Sequence, residues 1–447
     1  MLTNREFRKH LIVLSLPMML QQLLTTTLSF LDTLMIGQLG ATSISAVAIA
    51  NQMNVLLFYC VFGVSSGASV FLARYYGGGK EDSMEKVMGL GLTCCLLFSL
   101  LWFLGSFLFP ESIMHIFSKD EEVVGQGCSY LRIIAPSYFL YALTYIFSTG
   151  FRSVGRTSIP LYASLVALTL NAVGNYLLIF GIGPFPRLGV RGAAIATLLS
   201  RLVEVSIIVL LSYLLRMPYR IRRLRNAFVW SCSFFLEYLR ICLPILLNEI
   251  FFVLGISIFK IAYSRLGTEA FAAINIAEAI ENVFFITSLG ISHATTVLIS
   301  QRIGAGEESQ AQRYADQTVR LDFIMSLIQG LLIAATAPLL VQLFNISPEL
   351  KRETMLALFV IALYQPAISV GMLYFVGIFR AGGDTNFSFI GETACVFLVG
   401  IPLAFITTAL GLPIYIVLSF VHLNAVAKTI VGAVHLRSRR WMKAIDS

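Results

Sequence analysis

Residues 11–36 read LIVLSLPMMLQQLLTTTLSFLDTLMI, with Asp32 as their one charged side chain. A helix needs roughly 20 apolar residues to cross the hydrocarbon core of a bilayer, and this stretch exceeds that. It follows a basic leader, MLTNREFRKH. A cleaved signal peptide would show a shorter apolar core and a small-residue cleavage site. The spacing therefore predicts a retained first membrane helix.

Eleven further stretches behave alike: 44–72, 87–109, 123–148, 159–183, 190–215, 239–263, 270–299, 319–344, 353–379, 387–410 and 412–435. Hydrophobic residues make up 57% of the 447, charged residues 13%. A soluble chain carries about a quarter charged, so too little polar surface is left to face water. Without water every backbone N–H must be satisfied within the segment, which selects helices. The ten-residue alternation of an outer-membrane barrel is absent.

The net charge of +8 is not a nucleic-acid footprint, because the basic residues sit in short loops between apolar runs. With the N-terminus inside, 22 Lys and Arg fall on the inner side, six on the outer side and four within helices. That asymmetry places both termini in the cytoplasm. The short loops and compact length suit a bacterial inner membrane.

The chain repeats itself. Leu16-Pro17 matches Leu243-Pro244, Leu39-Gly40 matches Leu266-Gly267, Gly63 matches Gly290, Gly77 and Gly79 match Gly304 and Gly306, and Glu81 matches Glu308, all 227 residues apart. Arg152, Gly155 and Thr157 match Arg380, Gly383 and Thr385 at 228. Six helices per half is an even number, so both halves share one orientation, related by a pseudo-twofold axis along the membrane normal. The expected architecture is all-α and membrane-integral: twelve transmembrane helices in two six-helix bundles around a central cavity. Its parts are an N-terminal lobe, 1–215, a basic cytoplasmic linker, 216–238, and a C-terminal lobe, 239–447, with a short cytoplasmic tail. The basic linker reads as headgroup-anchored.

Charged groups inside the membrane cost roughly 2.5–3.5 kcal/mol each at a helix centre. Those retained are candidates for chemistry. Asp32 lies late in helix 1, and Pro17 on the same helix removes a backbone hydrogen bond and permits a kink. A buried carboxylate can couple its protonation to helix shape; the alternative is a satisfied helix-end Asp near the headgroups. Asn171 and Asn175, four apart, share a face of helix 5, and Thr197 on helix 6 falls at a similar depth. One carboxylate with amide and hydroxyl oxygens suits Na⁺ or holds a protonated Asp. The alternative is interhelical hydrogen bonding.

In the second half the ionisable candidates are Glu249 on helix 7, Glu278 and Glu281 on helix 8, His293 near its inner end and Glu392 on helix 11. Glu278 and Glu281 share a face and either line the cavity for a cationic substrate or pair with Lys260 or Arg265. Arg201 and Glu204 read as a structural pair. Gly63-Val64-Ser65-Ser66-Gly67 fits GxSxG, but within a helix rather than at a strand-to-helix turn. Tyr75-Tyr76-Gly77-Gly78-Gly79-Lys80 lacks Walker A spacing. The seven cysteines form no CxxC pair, and no cysteine or histidine has metal-ligand spacing.

Taken together, Pro17 to Asp32 ending in DTLMIGQLG, the loop ARYYGGGKEDS and its copy SQRIGAGEESQAQRYA, GFRSVGRT and its copy IFRAGGDT, and NAVGNYLLIFG give a chain that resembles the multidrug and toxic compound extrusion (MATE) transporters over nearly its full length. The resemblance implies a V-shaped, two-lobed fold that alternates access. It implies export of cationic or amphipathic organic compounds in exchange for H⁺ or Na⁺, with no cofactor and no enzyme activity. Onto matching positions it carries a cation-binding role for Asp32, Asn171, Asn175 and Thr197, with Na⁺ on Asp32, Asn171 and Asn175. Position 175 is Asn where some members carry Asp. Their second-half site uses acids on helices 7 and 10; helix 10 here has none, and that site is not transferred. Glu249, Glu278 and Glu281 as substrate residues, and Pro17 as hinge, follow from this sequence itself. The expected partners are a small organic substrate and the lipid bilayer, without nucleic acid, for a monomer. A lipid-linked saccharide flippase of the same superfamily is the alternative; it would need a more cationic lumen for pyrophosphate.

Overall fold

A computed structural model describes residues 4–342, 344 and 346–444. The first and last three residues, which bound the expected lobes and carry both termini, lie outside it. Among the described residues eleven helices are long and apolar enough to cross a membrane, and a bent pair, taken as one span, completes twelve. In chain order they are α1 (Asn4–Gly37), α2 (Ala41–Gly77), α3 (Glu81–Leu108), α4 (Glu121–Ile134 then Ser137–Ser153), α5 (Ser158–Phe180), α6 (Val190–Leu214), α7 (Cys232–Ser264), α8 (Thr268–Gly304), α9 (Glu308–Gln342), α10 (Pro348–Met372), α11 (Thr385–Ala394, resuming at Ile401–Ala409) and α12 (Ile414–Val421 then Leu423–Ser438). The bend in α4 is 51° and falls at Pro136, whose missing N–H cannot continue the ladder. Short helices Pro110–Phe117 and Leu224–Phe228 lie between spans.

These helices turn large apolar side chains outward and, within their apolar core, bury small and polar ones. On α3, Leu97, Leu101, Leu104 and Leu108 are exposed at helical spacing, while Cys95, Ser99 and Ser106 are buried. Lipid is as apolar as leucine, so close packing of small residues and hydrogen bonds hold such helices together. Ser99 shows both devices: it bonds Cys95 O and, across to α4, Tyr138 O, each at 3.0 Å.

Leu16–Tyr238 forms one compact unit; the chain up to Ser15 and from Leu239 onward forms the other. In the first unit α2 packs on α3 and α4, and α5 on α6. The basic segment after α6 folds back within this unit. Glu85 of α3 accepts from the backbone N–H of Arg222 and Arg223, both at 2.6 Å, and from Asn226 at 2.9 Å. In the second unit α8, α9 and α10 pack on one another and α12 on α10. The start of α1 joins this unit, with the Phe7 ring tilted against Tyr314, their centroids 4.5 Å apart. Its far end is clipped by Trp441, whose Nε1 donates to Gln312 at 2.9 Å. Helix α1 thus leaves one unit for the other at Ser15, two residues before Pro17. Helix α7 does so at Tyr238, shortly before the matching Pro244.

The repeat extends to which positions are buried, and its change of offset has a structural cause. Leu131, Ile134, Tyr138 and Ala142 of α4 correspond to Leu358, Ile361, Gln365 and Ser369 of α10 at 227, every one buried. From the last residue of Leu373–Phe379, a π-helical turn absent from α4, Phe151, Ser153 and Thr157 correspond to Phe379, Ala381 and Thr385 at 228. A second π-helical turn, Cys395–Gly400, interrupts α11. Before it Ser164 pairs with Glu392 at 228; from its last residue on, Asn171, Asn175 and Ile179 pair with Gly400, Ala404 and Thr408 at 229. A π-bulge adds a residue to a helix without breaking it, so each insertion moves the register by one.

Candidate functional site

In the first unit, four polar residues named from the sequence come together. Helix α1 presents Asp32, α5 presents Asn171 and Asn175 one turn apart, and α6 presents Thr197. Asn175 Nδ2 donates to Asp32 Oδ1 at 2.5 Å. The Asn171 amide orientation that satisfies both its ends turns its NH₂ to Asp32 Oδ1 at 3.0 Å, and its oxygen to the Thr197 hydroxyl and backbone N–H at 3.1 and 3.2 Å. Both asparagines are buried, and Asp32 and Thr197 are half-buried. The carboxyl group therefore turns into the bundle.

Two amide donors on one carboxylate are charge-assisted hydrogen bonds, the stronger kind. Asn175 Oδ1 is buried with no donor among the described residues, a carbonyl oxygen left open to an O–H donor or a cation.

A hydrogen-bonded chain lies beside the cluster. Arg152 Nη2 donates to Gln21 Oε1 at 2.7 Å, Gln21 Nε2 to Ser164 Oγ at 2.8 Å, Ser164 to Glu204 Oε1 at 2.7 Å, and Arg201 Nη1 to Glu204 Oε2 at 2.8 Å. Arg201 also lies 5.4 Å over the Tyr141 ring and within electrostatic reach of Asp32. The spacing of Arg201 and Glu204 marked their pairing, but Gln21 and Ser164 carry no such signal. Their link spans 143 residues.

The second unit has a matching layer. Glu249 is not free: Arg380 Nη2 donates to it at 2.9 Å, and both are buried. Asn248 donates to Glu392 at 3.0 Å, and Lys428 pairs with Glu392 at 3.0 Å. Asn248, Arg380 and Glu392 are the repeat counterparts of Gln21, Arg152 and Ser164. Glu278 and Glu281 are half-buried and have no ion pair within 4.0 Å among the described residues; Lys260 acts on Glu278 electrostatically. Arg265 sits 4.7 Å over the Phe405 ring instead. Among the described residues no three His, Cys, Asp or Glu side chains gather as metal ligands. A buried acid inside an apolar run escaped the sequence reading: Asp322 on α9, 1% exposed, whose signal was a lone charge in the run LDFIMSL.

The MatE family model matches residues 17–177 and again 244–406. The chain belongs to the MatE family. The two matches begin 227 residues apart, at 17 and 244, the repeat distance read from paired prolines and glycines. A probable multidrug resistance protein NorM of Thermotoga maritima is 27% identical over 90% of this chain and 86% of its own length. An FAD transporter of Shewanella oneidensis is 29% identical over 76% of this chain and 75% of its own. A crystal structure of MATE in complex with MaL6 superposes with a TM-score of 0.87 at 21% identity, covering 97% of each chain, and shares the fold. This MatE chain is a multi-pass membrane transporter, not an enzyme.

Proposed function

We propose that this MatE transporter is a secondary active exporter of cationic or amphipathic organic compounds, exchanged for H⁺ or Na⁺ by alternating access, with Asp32 as the coupling carboxylate. The carrying observation is the Asp32 carboxyl held inside the bundle by Asn175 and Asn171 on a helix that contains Pro17. An ion arriving at Asp32 neutralises the charge those amides solvate, so occupancy changes what holds α1 against α5. Pro17 supplies the backbone freedom for α1 to respond. Relatives named for multidrug resistance support the substrate class. Glu278 and Glu281, without ion-pair partners among the described residues, supply negative charge for a cationic substrate.

The flippase alternative is not favoured. The basic groups Arg201, Arg380 and Lys428 are spent on Glu204, Glu249 and Glu392, which counts against a strongly cationic lumen for pyrophosphate. The setting we propose is a monomer in a bacterial plasma membrane, both termini cytoplasmic. Efflux from proteoliposomes, driven separately by an H⁺ and a Na⁺ gradient, tests the reading. One gradient should drive organic-cation efflux; failure of both would refute it.

A further inference from the structure

Three buried core positions correspond between the halves at 227 residues: Val61 with Ser288, Cys95 with Asp322, and Ala142 with Ser369. In the first half the three are apolar or weakly polar and none is more than 1% exposed; in the second none is more than 2% exposed. The second half thus holds a carboxylate and two hydroxyls at the very positions where the first half packs a valine, a cysteine and an alanine. The Ser369 hydroxyl lies 3.0 Å from both oxygens of Asp322 and 2.7 Å from the Ser288 hydroxyl. No cation pairs with Asp322 among the described residues. Among the described residues, Ser369 is the side chain that hydrogen-bonds the carboxyl; the titratable groups nearest on the helices packed on it are Glu278, Glu281 and His293 of α8, Tyr364 of α10 and Tyr374 in the turn after α10, and none forms an ion pair with it within 4.0 Å.

We infer that Asp322, Ser288 and Ser369 form a second proton-binding site, in the second unit and separate from Asp32. An ionised carboxylate buried without a counter-charge costs far more than a neutral acid. The three groups close on one another at hydrogen-bonding distance, which leaves a metal ion no place among them and suits a proton. A proton from water forms the O–H bond on Asp322, and its return to water breaks that bond; the Ser369 hydroxyl turns between the carboxylate as acceptor and Ser288 as the charge changes. Two turns further along, α9 and α10 stay in close contact: a methyl group on Gly330 would meet Ala362 O at 2.4 Å.

The site's use in transport rests on the exporter reading, but its protonation does not. Infrared pH titration of the purified protein in detergent follows the carbonyl stretch of protonated carboxyls. Asp322→Asn should remove one titrating component that Asp32→Asn retains. The triple variant S288V/D322C/S369A, which copies the first-half core and so should fold, should lose the same component. Titrations of Asp322→Asn and of the triple variant that superpose on the wild type would overturn the inference. Absence of transport in the wild type, with the infrared component present, would instead refute the exporter reading alone.

Discussion

Phe259 lies against Gly400 in the second half where Asp32 meets Asn171 in the first; a methyl group on Gly400 would touch the Phe259 ring at 2.9 Å. Residues 32 and 259 differ by 227, and 171 and 400 by 229, across both π-helical insertions. The same helix crossing is therefore a polar site in one lobe and an apolar contact in the other. The duplicated fold confines the Asp32 type of site to one lobe, and the account of coupling builds on that asymmetry.

Asn175 is the nearest donor to Asp32. A hydrogen bond to a charged group contributes about 1.5–3 kcal/mol. Asn175→Ala should therefore change the apparent affinity for the coupling ion by roughly 10–100-fold, with little effect on expression. The measurement is the ion-concentration dependence of efflux in proteoliposomes. An unchanged dependence would mean that this contact is merely structural.

The buried Glu249–Arg380 pair makes a sharper stability claim. Removing one partner strands the other charge at a cost of about 3–5 kcal/mol, whereas replacing both is often tolerated. Arg380→Met should markedly lower the thermal unfolding temperature in detergent, and the double variant E249Q/R380M should recover most of the loss. A double variant no better than the single one would show that the pair is not the reason for the loss.

Much of this architecture was legible in the chain. Twelve apolar runs, the duplicated Leu-Pro and glycine positions and the lone Asp32 all follow from what lipid tolerates, a constraint read locally. The shift of repeat offset at Arg152 and Arg380 was visible too, but its cause, a π-turn in α10, needed the backbone. Partners were not legible where they join residues more than a hundred apart: Arg380 takes Glu249, and Gln21 links Arg152 to Ser164. Asp322 was missed because it stands fourth in the run 319–344, beside Arg320, where an acid reads as part of the membrane interface; its neighbours Ser288 and Ser369, from two other helices, give it meaning.

Gly89 is a packing requirement that spacing did not mark. A methyl group there would sit 1.9 Å from Ala227 O, on the short helix Leu224–Phe228. Gly89→Val should cost about 1–3 kcal/mol by overpacking and push that helix off α3. Limited trypsin digestion should then cut faster at Arg220, Arg222, Arg223 and Arg225. Equal cleavage rates would show that the segment does not depend on this contact.

The most direct test of the coupling claim compares two transport modes in one preparation. In proteoliposomes, wild-type protein should accumulate substrate against its gradient when the coupling ion flows, and Asp32→Asn should not, although substrate-for-substrate exchange persists in both. Ion-driven accumulation by Asp32→Asn at the wild-type rate would contradict the account.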